Sequence, residues 1–181
     1  DIFRSVQLVK KNIYDGPYTI FKDWKAHGYT DMRKAIEESS DEYFYQVGGG
    51  FKDQKGLGIE KINQYAQVFG FGTTTGIDMP REENGTIPSP EWKKNLFGED
   101  WLVGNTYHTS IGQYGFQLTP LELVRGVAAI ANGGYLVTPH VRAGLVTSST
   151  SLDLSSENLK VVQEGMHMVV HGTGGTAKLL N

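Results

Sequence analysis

The sequence AIEESSDEYFYQVGGG, residues 35–50, places two serines and an aspartate between two predicted helices. Ser39 is followed three residues later by Glu42, which is the pattern of a capping box. The spacing therefore predicts a helix over 41–47 that Ser39 caps and that three glycines end. A serine acts as a catalytic residue only beside a base and an oxyanion hole. The stretch alone leaves both interpretations of Ser39 open, a helix cap and a catalytic-site residue.

Helical patterns continue on both sides of this stretch. Thr119, Pro120 and Glu122 form the strongest helix start, with a capping threonine, a first-turn proline and a glutamate three residues after the cap. The predicted helices cover 30–38, 41–47, 59–69, 90–97, 119–131 and 155–171. Extended pieces are predicted at 5–9 and 135–146, with a turn at 14–18 and a polar loop at 147–151. These pieces are too few for a complete sheet, so we expect a mainly helical chain.

The composition excludes several classes of function. The 181 residues carry a net charge of −3 and contain no cysteine. This rules out disulfides, thiolate metal sites and cysteine nucleophiles. The charge is too mild, and basic runs too scarce, to indicate nucleic-acid binding. The chain starts at Asp1 rather than at a methionine, which favours a fragment of a longer protein.

The histidines give little reason to expect a metal ion. His167 and His171 stand four residues apart on a predicted helix and could face one ion. There is no glutamate in the H-E-x-x-H position, and the sequence offers no obvious third ligand. We therefore predict neither a metal ion nor a cofactor.

Several spaced blocks resemble one known family. The blocks are TIFKDWKAHG, AIEESSDEYFYQVG, INQYAQVFGFGTTTGIDMP, GNTYHTSIGQYGFQLTPLELVRGVAAIANGGYLVTPHV and EGMHMVVHGTGGTA. In this order they resemble the transpeptidase domain of class B penicillin-binding proteins, and most closely the elongation-specific penicillin-binding protein 2 branch. The resemblance covers essentially the whole chain. It implies an α/β fold of the β-lactamase/transpeptidase type, of which this chain would hold a mainly α fragment, the helical lobe with a few short strands.

The resemblance also assigns roles to two residues. Ser39 would be the catalytic serine that relays a proton, and Asp41 would bind the substrate's amide. Asn is commoner at the second position, and an ionised Asp accepts hydrogen bonds but cannot donate one. The nucleophilic Ser-x-x-Lys pair and the Lys-Thr-Gly or Lys-Ser-Gly motif do not occur in residues 1–181. We therefore expect a partial transpeptidase domain that is inactive by itself.

Ligands and partners follow from the same resemblance. It implies peptidoglycan stem peptides and β-lactams as ligands, a SEDS-family glycosyltransferase and the elongation machinery as partners, and a membrane-anchored parent protein on the periplasmic face of the inner membrane. Two alternatives are a non-catalytic helical binding or assembly module and a related β-lactamase or β-lactam sensor. A lobe without its sheet would expose an apolar patch larger than monomers usually carry and would self-associate.

Overall fold

A computed structural model describes residues 19–180 in full and, before them, the backbone of two strand pieces, Phe3–Arg4 and Leu8–Lys10. The second piece overlaps the strand predicted at 5–9. The turn predicted at 14–18 lies outside the described residues. No helix in the described part of the chain has the length and apolar character that a membrane crossing requires.

Seven α-helices occur among the described residues. They are α1 (Met32–Glu37), α2 (Asp41–Gly49), α3 (Gly58–Val68), α4 (Pro90–Phe97), α5 (Val103–Ser110), α6 (Pro120–Ala131) and α7 (Ser156–His171), and a short 3-10 helix, Lys178–Leu180, follows them. Six of these confirm predicted helices. The capping box of α6 forms as expected, with Thr119 and Glu122 bonded to each other's backbone. The chain is mainly helical, as predicted.

Helix α5 was not predicted. Its sequence, VGNTYHTS, is poor in strong helix formers. The helix forms because it buries one face against α2, where Tyr107 is fully buried and its hydroxyl donates a 2.6 Å hydrogen bond to the carbonyl oxygen of Gly50. Tertiary packing thus overrides weak local propensity.

Helix α2 runs two residues beyond the prediction, through Gly48 and Gly49, and Gly50 is its C-cap. A β-carbon on Gly49 would overlap the ring of Tyr107, and one on Gly48 would overlap Ser110. These two glycines therefore permit the close approach of α2 and α5 rather than ending the helix.

The described strands form three separate antiparallel pairs. They are β1 (Phe3–Arg4) with β4 (Tyr29–Thr30), β2 (Leu8–Lys10) with β3 (Thr19–Phe21), and β5 (Tyr135–Val137) with β6 (Ser149–Ser151). The extended segment predicted at 135–146 is a strand only in its first three residues, because the Asp78 carboxylate accepts hydrogen bonds from Val141 N and Arg142 N and fixes a turn there. The polar loop predicted at 147–151 contains β6.

The core lies between the helices. Phe21, Tyr45 and Tyr107 form a buried aromatic cluster, and the ring of Phe21 meets that of Tyr107 edge-on at a 4.8 Å centroid separation. Helix α1 packs against α7, where Ile36 contacts the backbone at Gly165. Tyr43 and Tyr45, from the run of three aromatic residues in α2, are also buried. This packing holds the start of α2 on a rigid base.

Candidate active site

Ser39 lies at the turn between α1 and α2, and its backbone is unusual. Its φ of 53° is in the left-handed region, which non-glycine residues seldom occupy. Its side chain is exposed. Such a conformation persists only where the surroundings determine it, and it occurs preferentially at functional sites. The turn presents the Ser39 hydroxyl to solvent.

Ser40, rather than Ser39, caps α2. Ser40 has the extended backbone of an N-cap residue, and its Oγ accepts a hydrogen bond from Tyr43 N. The predicted capping box of Ser39 with Glu42 was therefore wrong by one residue. The reason is physical: Ser39 has a left-handed backbone and still belongs to the turn, and Ser40 is the residue with the extended backbone of an N-cap.

The chain around Ser39 is bonded to residues 23–27, which we call the 23–27 segment. Trp24 Nε1 donates a 2.9 Å hydrogen bond to the carbonyl oxygen of Ser39. Asp23 Oδ2 accepts a 2.9 Å bond from Ser40 Oγ and a 3.0 Å bond from Glu42 N. Burial raises the pKa of Asp23, but these donors outweigh it and hold the pKa below its usual value.

His27 lies between two carboxylates. Its side chain is fully buried, and its Nδ1 is 2.6 Å from Glu38 Oε2. Its Nε2 is 3.1 Å from Asp23 Oδ1 but lacks the alignment of a full hydrogen bond. Lys25 Nζ adds a contact of 3.4 Å to the same Glu38 oxygen. Burial opposes ionisation of Glu38, yet the bonds from His27 and Lys25 keep its pKa below the ordinary range.

Glu37 ties the end of α1 to the far end of the chain. The residue is buried, and its Oε1 accepts a 2.8 Å hydrogen bond from Gly174 N. A β-carbon on Gly172 would overlap the Glu37 carboxylate, and one on Gly174 would lie 2.6 Å from Glu38 Oε1. The glycines of the 172–175 loop thus allow it to pack directly against the two glutamates that precede Ser39.

Asp41 is the first residue of α2 and is half-buried. Burial and the nearby charge of Asp23 raise its pKa, while His27 and His108 oppose the shift. A protonated Asp41 can donate a hydrogen bond as well as accept one. The two predicted site residues thus both lie at the start of α2, Ser39 in the turn before the helix and Asp41 at its first position.

Sequence reasoning missed the residues that hold this turn. Asp23, Trp24 and His27 are separated from it by a strand and a helix, and only the tertiary fold brings them together. The sole local signal was the dense run of polar and aromatic residues in FKDWKAHG. Within residues 19–180, no cluster of three or more His, Cys, Asp or Glu side chains is arranged to hold a metal ion. The exposed rings of His167 and His171 lie 4.3 Å apart, centroid to centroid.

Solved structures share this fold. Penicillin-binding protein 2 from Helicobacter pylori superposes with a TM-score of 0.81 at 33% identity, over 98% of this chain and 32% of that one. Penicillin-binding protein 2 from Pseudomonas aeruginosa gives a TM-score of 0.80 at 28% identity, over 99% of this chain and 40% of that one. The architecture is that of the helical lobe of a transpeptidase domain, as the resemblance predicted.

Sequence comparisons agree. The peptidoglycan D,D-transpeptidase MrdA of Acinetobacter baumannii is 44% identical over 123 residues, which are 67% of this chain and 17% of that protein. MrdA of Haemophilus influenzae is 33% identical over 171 residues, which are 87% of this chain and 25% of that protein. A family model, the penicillin-binding protein transpeptidase domain, matches residues 5–180. The chain belongs to this family, and it spans about a quarter or less of the length of these two relatives.

Proposed function

We propose that this chain is the central part of the transpeptidase domain of a peptidoglycan D,D-transpeptidase of the elongation type. The observation that carries the proposal is the turn at Ser39, where an exposed serine has a left-handed backbone. Hydrogen bonds from the 23–27 segment hold Ser39 and the residues on either side of Ser39. The names of the relatives support the reaction.

The proposed reaction proceeds through an acyl-serine. A nucleophilic serine from outside residues 1–181 attacks a carbonyl of the stem peptide, an ester bond forms, and the peptide bond to the leaving amine breaks. The serine's proton is passed on and reaches the leaving amine. Ser39 serves as a relay for that proton, because its hydroxyl both donates and accepts. An amine of a second stem peptide then attacks the ester and restores the serine.

Asp41 is proposed to bind the substrate's amide. In its ionised form the carboxylate accepts a hydrogen bond from a substrate N–H. Its raised pKa increases the protonated fraction at a given pH, and the protonated form can also donate to a substrate carbonyl. Asp41 can therefore bind either the N–H or the carbonyl of the substrate's amide, depending on its protonation state.

The proposal extends to place and partners. Similar proteins include penicillin-binding protein 2 in a complex with MreC from Helicobacter pylori, with a TM-score of 0.82 at 33% identity. By analogy the longer protein acts on the extracytoplasmic side of the membrane, to which it is anchored, together with the elongation machinery and a SEDS-family glycosyltransferase. β-Lactams would acylate the same nucleophile.

The test is an adduct measurement on the full-length protein that contains this chain. After incubation with a fluorescent penicillin, intact mass should show one adduct, and proteolytic mapping should place it on a serine outside residues 1–181. The 181-residue chain alone should show no adduct, because it contains no Ser-x-x-Lys. An adduct on Ser39 or on any other serine of this chain, or no adduct on the full-length protein, would refute the proposal.

A further inference from the structure

We propose that Asp23, Trp24 and His27 are positioning residues that hold the Ser39 hydroxyl at its place in the reaction. The inference rests on the proposed function of Ser39. It assigns to the 23–27 segment a role in catalysis exerted through the backbone of the turn, without contact with the substrate.

The contacts follow the chain residue by residue. Three consecutive residues of the turn each bond to a different member of the segment: Glu38 to His27, Ser39 to Trp24, and Ser40 to Asp23. These bonds thus hold Glu38 and Ser40, on either side of Ser39, and also the carbonyl group of Ser39 itself. A serine with a left-handed backbone is strained and would relax without such restraints.

The segment that supplies these bonds is itself anchored. Phe21, two residues before Asp23, belongs to the aromatic core with Tyr45 and Tyr107. The side chains of Asp23 and His27 are almost wholly buried. Lys34 Nζ donates a 2.5 Å hydrogen bond to the carbonyl oxygen of His27. The position of Ser39 is therefore fixed relative to the core of the lobe, and not only relative to the ends of α1 and α2.

The contacts of Trp24 favour a positioning role over a role in packing. The residue is 58% exposed, so it contributes little buried apolar area, yet its indole N–H bonds to the strained residue. A side chain retained only for stability would be expected to bury its ring. Lys25 Nζ lies 4.8 Å from the Trp24 ring, and the His27 ring meets it edge-on, so the exposed indole is held in one orientation.

The first experiment removes the Trp24 donor and leaves the fold intact. Trp24→Phe in the full-length protein deletes the N–H, and the matched control is Trp101→Phe, which deletes the bond from Trp101 Nε1 to Thr106 Oγ1 elsewhere in the lobe. We measure the penicillin acylation rate constant, the preceding non-covalent dissociation constant and the final adduct stoichiometry. A 1 Å misplacement can cost about 10²-fold in rate, so a relaxed turn should lower the acylation rate constant by roughly three- to tenfold.

The second experiment uses rescue by a conservative variant. Asp23→Ala removes the acceptor for Ser40 Oγ and Glu42 N, whereas Asp23→Asn retains an oxygen that accepts from both. The expected result is a large loss of acylation rate for the alanine variant and a small one for the asparagine variant. Both variants should reach full adduct stoichiometry, and the dissociation constant should be unchanged. Amide exchange at Ser40–Tyr43 should be faster only in the alanine variant.

The outcomes separate the two levels of the proposal. Slower acylation in Trp24→Phe and Asp23→Ala, with normal rates in Trp101→Phe and near-normal rates in Asp23→Asn, supports positioning. If Ser39→Ala is slow but the 23–27 variants acylate at the normal rate, positioning is refuted and the role of Ser39 stands. If Ser39→Ala itself acylates normally, the proposed role of Ser39 fails and the inference fails with it. A loss of stoichiometry instead of rate would show a purely structural role and overturn the inference.

Discussion

The carboxylate of Glu37 accepts a hydrogen bond from the backbone N–H of Gly174, a residue 137 positions further along the chain. Glu37 ends α1 two residues before Ser39, and Gly174 lies in the glycine loop that follows α7. The bond therefore joins the two segments of the lobe that border the turn at Ser39, with Glu37 buried and Gly174 half-buried.

Removing this acceptor should destabilise the protein. Glu37→Ala removes the carboxylate that accepts from the part-buried Gly174 N–H, and a hydrogen bond to a charged group contributes about 1.5–3 kcal/mol to the free energy of unfolding. Glu164→Ala is the matched control, since it breaks the half-exposed ion pair with Arg33 and should cost less than about 1 kcal/mol. Denaturant unfolding of both variants measures the difference. Equal losses of unfolding free energy in the two variants would contradict this prediction.

Glu122 should give the protein an acid-sensitive stability. It is almost fully buried, and its carboxylate accepts from the backbone N–H groups of Gly72, Gly85 and Thr119. Burial raises the pKa of Glu122, but these donors outweigh burial and hold the pKa below its ordinary value. A lowered pKa in the folded state means that the stabilisation is present above the unfolded pKa and is lost as the pH falls through the folded pKa.

The variant Glu122→Gln tests this sign. Its amide has one accepting oxygen, so the variant should lose about 1–3 kcal/mol of unfolding free energy at pH 7. The loss should shrink below about pH 4.3, the usual pKa of a glutamate in the unfolded chain, because the unfolded state then binds a proton before the folded state does. The exposed Glu60→Gln on α3 should change little at either pH. A Glu122→Gln deficit that is the same at pH 3 and pH 7 would contradict the account.

Asp41 should behave in the opposite way. Burial and the charge of Asp23 raise its pKa in the folded state, so its ionised form is disfavoured there. The penalty is present above the folded pKa and vanishes as the pH falls below the unfolded pKa. Asp41→Asn should therefore raise the stability at pH 7 by less than about 1 kcal/mol, since a charge in the first turn of a helix is partly favoured. Thermal unfolding across pH 3–7 checks this, and a variant less stable than wild type at pH 7 would contradict it.

The sequence predicted those elements whose signals are local. The Thr119–Glu122 capping box begins α6 as predicted. Helix α4, predicted over 90–97, begins after a Ser89 cap and ends at Gly98. The sequence could not predict α5, because that helix depends on the burial of Tyr107 against α2 and not on a local helix signal. Nor could it place the cap of α2, because no sequence pattern marks Ser39 as left-handed.

The candidate site shows the same division. Ser39 and Asp41 could be predicted as site residues because they are neighbours in the chain and match a motif. The residues that support them were missed because each acts across a tertiary contact, with a sequence separation of 11 from His27 to Glu38 and of 137 from Glu37 to Gly174. Such contacts depend on how α1 packs against other parts of the lobe, such as α7, which no short-range pattern encodes.

The central claim is that Ser39 relays a proton during acylation, and the most direct test is the acylation rate constant of Ser39→Ala in the full-length protein. Ser149→Ala, in the exposed strand β6, is the matched control. We predict a loss of about 10²-fold or more for Ser39→Ala, the usual contribution of a positioned proton-transfer group, with an unchanged melting temperature. A Ser39→Ala protein that acylates as fast as the Ser149→Ala control would contradict the account.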